Sequence, residues 1–198
     1  MYLITKYGDH STEHESIISA GRALIELQGN PEIWLKDVSA LAGMTEHAVK
    51  SFYTTPQTLV RAIFMDGLFQ RLEITRTALT DCDHVDELIQ QVRCSTTRKL
   101  ETACSDTAMQ ILWRHHLKHD SYVSAKQNCL KLESHSLAAA VNRFSTRKPY
   151  DEIFNAMRLA TFTLCHLSYS SISLLESNRS TIIDECRQLM ELSCRQFL

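Results

Sequence analysis

The stretch that most constrains this chain is Leu35 to Leu59, LKDVSALAGMTEHAVKSFYTTPQTL. Val38, Leu41 and Ala42 recur at helical spacing, and Gly43 follows where a helix has to stop and reverse. Thr45 then opens a second short helix marked by Ala48, Val49 and Phe52. A glycine takes the left-handed conformation that a tight junction between helices demands, while Met44 can turn back into the space between them. The Thr45 hydroxyl can accept from an orphan amide of the first turn, and Glu46 places negative charge at the positive end of the helix dipole. The pattern predicts a helix-turn-helix. In that motif the second helix enters the major groove of DNA, which makes Glu46, His47, Lys50 and Ser51 the candidate readers, with Lys36, Thr45 and Tyr53 beside them.

The flanks extend the motif. Ile17, Ile18, Gly21, Leu24, Ile25 and Gln28 fall on one amphipathic helix that ends at Gly29. Downstream, Pro56 can occupy the first turn of a long helix, where its missing amide costs nothing. The segments IISAGRALIELQG, KDVSALAGMTEHAVKSFY and TTPQTLVRAIF together resemble the TetR family of bacterial transcription regulators over roughly residues 14 to 66. They match that family's first helix, its helix-turn-helix and the start of its connecting helix. The resemblance implies an all-α protein of about nine helices. Residues 1–55 would form an N-terminal helix-turn-helix head, and residues 56–198 a ligand-binding and dimerisation body. It also implies a homodimer on palindromic double-stranded operator DNA, repression, and control by a small molecule in the body.

Some positions depart from the family pattern. Trp34 stands where a threonine or serine usually opens the second helix, Lys50 where a phosphate-touching tyrosine is common, and Pro56 where a lysine often meets the DNA backbone. Between Ser11 and Asp66 there are four basic residues, Arg22, Lys36, Lys50 and Arg61, against seven acidic ones, a net of −3. Phosphate contacts supply most non-specific affinity for DNA, so an acidic head implies weak or salt-sensitive binding. An alternative reading follows: the same fold with operator recognition weakened or lost, acting through protein or ligand binding.

Glycine and proline are scarce, at 5 and 3 residues in a chain of 198, which favours an ordered helical protein. The pattern Leu59, Ile63, Leu68, Leu72 and Leu79 predicts one helix from Pro56 to about Leu79. Asp83 is the candidate cap of a further helix to about Ala103, and Ser105-Asp106 restarts the chain into a helix with Met109 and Trp113. Another runs from about Ser121 to Phe144. Two long apolar helices, Tyr150 to Glu176 and Ser180 to Phe197, are expected to flank a break at SNRS. Such a hairpin needs more than its own core to cover it. By resemblance it supplies a two-fold dimer interface through Met157, Leu164, Leu167, Ser171, Ile182, Cys186, Leu189 and Met190.

For the body, Met109, Trp113, Phe162, Cys165, His166 and Tyr169 are candidate ligand contacts, with Arg93 and Arg98 as anion partners. Such a lining would suit a mostly apolar molecule with one polar or acidic end. His115, His116 and His119 are better read as a helix-terminal cluster than as a metal site, because no glutamate or cysteine lies among them. The 7 cysteines are scattered without a C-x-x-C pair and read as small buried hydrophobes. Neither an H-E-x-x-H sequence nor a recognisable serine, histidine and acid set is present, so no enzyme activity, metal or cofactor is expected. No signal-peptide core and no run of about 18 apolar residues occurs, so a soluble cytoplasmic protein with no membrane partner is expected.

Overall fold

In the computed structural model, which describes residues 12–116, 120–146, 148–170 and 172–198, the chain is all-helical. Among the described residues there are nine helices: α1 (Thr12–Gln28), α2 (Leu35–Ala42), α3 (Glu46–Phe52), α4 (Pro56–Leu79), α5 (Val85–Ser105), α6 (Thr107–His116), α7 (Asp120–Asn142), α8 (Tyr150–Ser170) and α9 (Ile172–Arg195).

The local signals explain most boundaries. At the α2–α3 turn, Gly43 has φ 68°, where only glycine escapes a Cβ clash, and the Met44 amide donates back to the Ser39 carbonyl at 2.9 Å. Thr45 caps α3 by accepting from the Ala48 amide at 3.2 Å. Thr55 and Thr58 form a reciprocal capping box around Pro56 at the start of α4.

Elsewhere the structure differs from the sequence reading. The cap of α5 is His84, not Asp83; the Asp83 amide donates to the Glu87 carboxylate reaching back from the first turn, so that side chain organises the entry. Helix α8 ends at Ser170, well short of Glu176, and the SNRS break is a kink inside α9 at Asn178 (φ −133°, ψ 33°). Leu41 and Phe52, apolar marks of the two short helices, are exposed. Val38 and Val49 alone of those marks are fully buried, both in the first apolar cluster, because helices of two turns bury only a narrow stripe.

Two apolar clusters hold the molecule together. The first joins Ile17, Ile25, Val38 and Val49 of the first three helices to Leu59, Ile63 and Leu68 of α4. It continues without interruption into Met109, Leu112 and Trp113 of α6 and Cys129 of α7. A Cβ added at Gly67 would lie 2.5 Å from the Met109 sulfur, so α4 and α6 meet closely enough there that a larger residue would displace the Met109 side chain. The second cluster packs α5, α7, α8 and α9 through Leu88, Leu100, Leu137, Met157, Leu164, Cys186 and Met190. Four of the expected interface residues, Met157, Leu164, Cys186 and Met190, are therefore inside the subunit. They face one another across the α8–α9 pair, as the 3.8 Å approach of Cys194 to the Met157 sulfur illustrates. Leu167 and Leu189 are exposed, Ile182 is half-buried, and Ser171 lies outside the described residues.

Candidate recognition surface and polar interior

Helix α3 presents Glu46, His47, Lys50 and Ser51 to solvent, and Lys36 of α2 is exposed as well. The cation is not simply offered outward. The Lys50 ammonium donates to Glu46 at 2.7 Å one turn away, and this bond holds the Glu46 carboxyl below its ordinary range. The Ser51 hydroxyl donates to the Ala48 carbonyl. Tyr53 does not reach outward as expected: it is 8% exposed, with its hydroxyl 2.7 Å from Nε2 of His14 on α1. Closing the α3 end against α1 consumes that phenol. Trp34, which caps α2 without any side-chain hydrogen bond, is 70% exposed and lines a cleft of about 450 Å³ together with Pro31, Pro56, Gln57, His115 and Tyr122.

A polar latch joins the first helix to the sixth. Arg22 donates to Asp106 at 2.5 Å and lies 3.7 Å from Asp66 of α4. Glu26 accepts from the Ala108 amide at 3.3 Å. Asp106 also caps α6 by accepting from the Met109 amide at 3.0 Å, so one carboxylate serves the helix end and the latch.

The interior of the body holds charges that apolar patterning alone does not anticipate. Lys99 of α5 donates to Glu133 of α7 at 2.6 Å and to the Thr75 hydroxyl at 3.0 Å; Thr75 donates to the same Glu133 oxygen at 3.1 Å. Arg71 of α4 approaches the second carboxylate oxygen at 3.4 Å. All four side chains are buried. Burial pushes the Glu133 carboxyl up, but the Lys99 and Arg71 charges, with the hydrogen bonds from Lys99 and Thr75, outweigh it and leave it below the ordinary value. These residues were legible in one respect: Arg71 and Thr75 interrupt the Leu68, Leu72, Leu79 stripe, and Glu133 falls between Leu130 and Leu137 on the buried face of α7.

The expected ligand contacts do not converge on one cavity. Met109, Trp113 and Cys165 are buried, whereas Phe162 and His166 are exposed and the Tyr169 side chain lies outside the described residues. Arg93 is on the surface, 3.6 Å from Glu191. Arg98 lines a groove of about 320 Å³ between α4 and α5, beside Cys82 and Cys94. Among the described residues the buried cations are Arg71, Lys99 and Lys126 instead. A helix of 3.6 residues per turn puts Lys99 inward and so turns its neighbour Arg98 outward.

Among the described residues, no three histidine, cysteine or acidic side chains gather as a metal site, and His119 with the His116 side chain lies outside them. Among the same residues, no helix is long and apolar enough to cross a membrane. Of the cysteines, Cys94 is exposed, while burial pushes the Cys129 and Cys194 thiols up to about 12.

No family model matches the sequence, and no curated protein is similar to it. Solved structures are similar in shape. A TetR-family transcriptional regulator from Streptomyces coelicolor superposes with a TM-score of 0.62 at 15% identity, covering 94% of this chain and 99% of its own. The SmeT–triclosan complex gives 0.67 at 14%, covering 95% and 92%. FadR from Bacillus subtilis in complex with stearoyl-CoA gives 0.63 at 12%, covering 91% and 97%. The chain has the TetR-like fold over nearly its whole length.

Proposed function

We propose that the protein is a TetR-type transcriptional regulator, a repressor in the family manner, with residues 1–55 as the DNA-reading head and residues 56–198 as the ligand-binding and dimerisation body. The observation that carries this reading is the continuous packing of a helix-turn-helix onto a helical body through α4 and α6, the architecture of the solved regulators. Two heads in a homodimer would meet successive major grooves about 34 Å apart on a palindromic operator. Lys36, Thr45, Glu46, His47, Lys50 and Ser51 would face the duplex. A ligand in the body would act by favouring one head spacing over another, and only through unequal affinity for the two states. Neighbours of this fold carry small molecules, triclosan in one and stearoyl-CoA in another.

The dimer surface is best supported on the outer side of α8 and α9, where Leu167, Leu189 and Leu192 are exposed. Leu192→Asp should convert a dimer to a monomer in analytical ultracentrifugation; an unchanged dimer would remove this surface.

Titration of DNA from around the protein's own gene, from low to physiological salt, tests the central reading. Binding should fall steeply with salt, and Lys50→Ala should reduce the slope by about 1. One observation favours the second reading, a head with weakened or lost operator recognition: Lys50 is tied to Glu46 within an acidic head that exposes Trp34. Absence of binding even at low salt would establish it over the first.

A further inference from the structure

Trp34 is the most exposed aromatic ring among the described residues, at 70%, and it stands in a concave site. An isolated apolar side chain on a convex surface needs no explanation, but an indole that walls a cleft of about 450 Å³ offers its face to whatever enters. Tyr122 of α7 and the His115 imidazole of α6 supply two more rings, and Pro31 and Pro56 complete the walls. The prolines stand on fixed backbone. The Pro31 carbonyl accepts from the Ile33 amide at 3.0 Å, Asn30 accepts from the Glu32 amide at 2.8 Å, and the Thr55–Thr58 box holds the turn around Pro56. A cleft built this way needs little ordering when it is filled.

Its charge is as selective as its shape. Among the described residues the lining holds no lysine or arginine, and its one carboxylate, Glu32, is exposed and makes no ion pair. The other clefts differ: Lys131 and Arg158 line the one between α7 and α8, and Arg98 the groove between α4 and α5. Aromatic faces carry negative potential, so rings beside an unanswered carboxylate attract a cation. Arg61 acts on the Tyr122 hydroxyl from outside the lining, which leaves the end formed by Trp34 and Glu32 as the place for positive charge.

We propose that this cleft binds a planar organic cation, its ring against Trp34 and Tyr122 and its positive nitrogen beside Glu32. The site is separate from the body interior, and its occupant is opposite in charge to the acid-tipped molecule expected from the sequence. Held there, the cation touches the start of α2, the first turn of α4, the end of α6 and the start of α7, and so bridges the helix-turn-helix and the body. The proposal goes beyond the regulator reading and does not depend on it.

Isothermal titration calorimetry on the full-length protein at pH 8 compares N-methylquinolinium, neutral quinoline, tetramethylammonium and 2-naphthoate. N-methylquinolinium is expected to bind saturably at one site per chain. Quinoline, with the ring and no charge, and tetramethylammonium, with the charge and no ring, should each bind about tenfold more weakly, and 2-naphthoate more weakly still. Glu32→Gln should weaken N-methylquinolinium about fivefold and leave quinoline unchanged, whereas Trp34→Ala should weaken both about tenfold. Both side chains are exposed, so neither change disturbs the core. Absence of saturable binding, an affinity for quinoline or 2-naphthoate equal to that for N-methylquinolinium, or affinities unchanged in both variants would overturn the proposal. The last outcome would move the cation into the body. DNA is titrated in a separate experiment: loss of DNA binding with the cation response intact rejects the regulator and spares the cleft, and the converse rejects the cleft alone.

Discussion

Arg22 on α1 donates to Asp106 at the N-terminal end of α6, a bond spanning 84 positions of sequence. Through it, and through Glu26 on the Ala108 amide, the first helix of the head is gripped by the helix that carries Met109 and Trp113 into the body. A shift of α6 must therefore either drag α1 with it or break this contact. Arg22→Ala leaves the largely buried Asp106 carboxylate without its guanidinium and should cost about 1–3 kcal/mol in urea denaturation. Under the regulator reading it should also uncouple ligand from DNA, leaving operator affinity nearly unchanged by a ligand that still binds. A variant with wild-type stability and full ligand response would show that the latch transmits nothing.

The Lys99–Glu133 pair gives the fold an acid-sensitive centre. Glu133 has a folded value below its ordinary 4.5, so its contribution to stability is complete above that pH and is lost as pH falls through the lower folded value. Glu133→Gln should flatten this part of the stability profile. It should also cost about 3–5 kcal/mol at neutral pH, because Lys99 is left charged and buried without its counter-ion. Thermal melts from pH 7 to 3 compare the two proteins; parallel profiles would place the acid sensitivity elsewhere.

The turn of the helix-turn-helix tolerates little. Gly43 at φ 68° has open space around it, so Gly43→Ala meets backbone strain alone and should cost roughly 1–2 kcal/mol. Thr45→Ala removes the α3 cap and should cost about 1 kcal/mol. Both are read as shifts of the urea midpoint at constant slope.

Thiol chemistry should divide by burial. Cys94 is expected to react promptly with a disulfide reagent at pH 8, while Cys129 and Cys194, held at about 12, react only when the protein opens. Equal rates for native and urea-unfolded protein at Cys129 would contradict that packing.

The all-helical architecture was readable because its punctuation is local. Gly29, Gly43 and Pro56 act through their own backbone and Thr45 through a hydroxyl that caps an amide three residues on, and the structure uses each as the sequence implies. What escaped was set by distant partners. Tyr53 reads as a surface aromatic until His14, 39 positions earlier, takes its hydroxyl. The α8–α9 stripe reads as an interface until the two helices are seen to bury Met157, Cys186 and Met190 between themselves and α5. Arg98 and Lys99 are adjacent and chemically alike; which one turns inward depends on how α5 is rotated toward Thr75 of α4 and Glu133 of α7, a property of packing and not of either residue.

The uninterrupted first cluster has an evolutionary corollary. Because Val38 and Val49 belong to the same apolar cluster as Ile63, Met109 and Trp113, a recombination that exchanged the N-terminal helices at residue 55 would strand half of a jigsaw. Viable chimaeras should inherit α4 and α6 along with the head, and under the regulator reading a new operator preference is reached by point substitution on α3 more readily than by swapping modules.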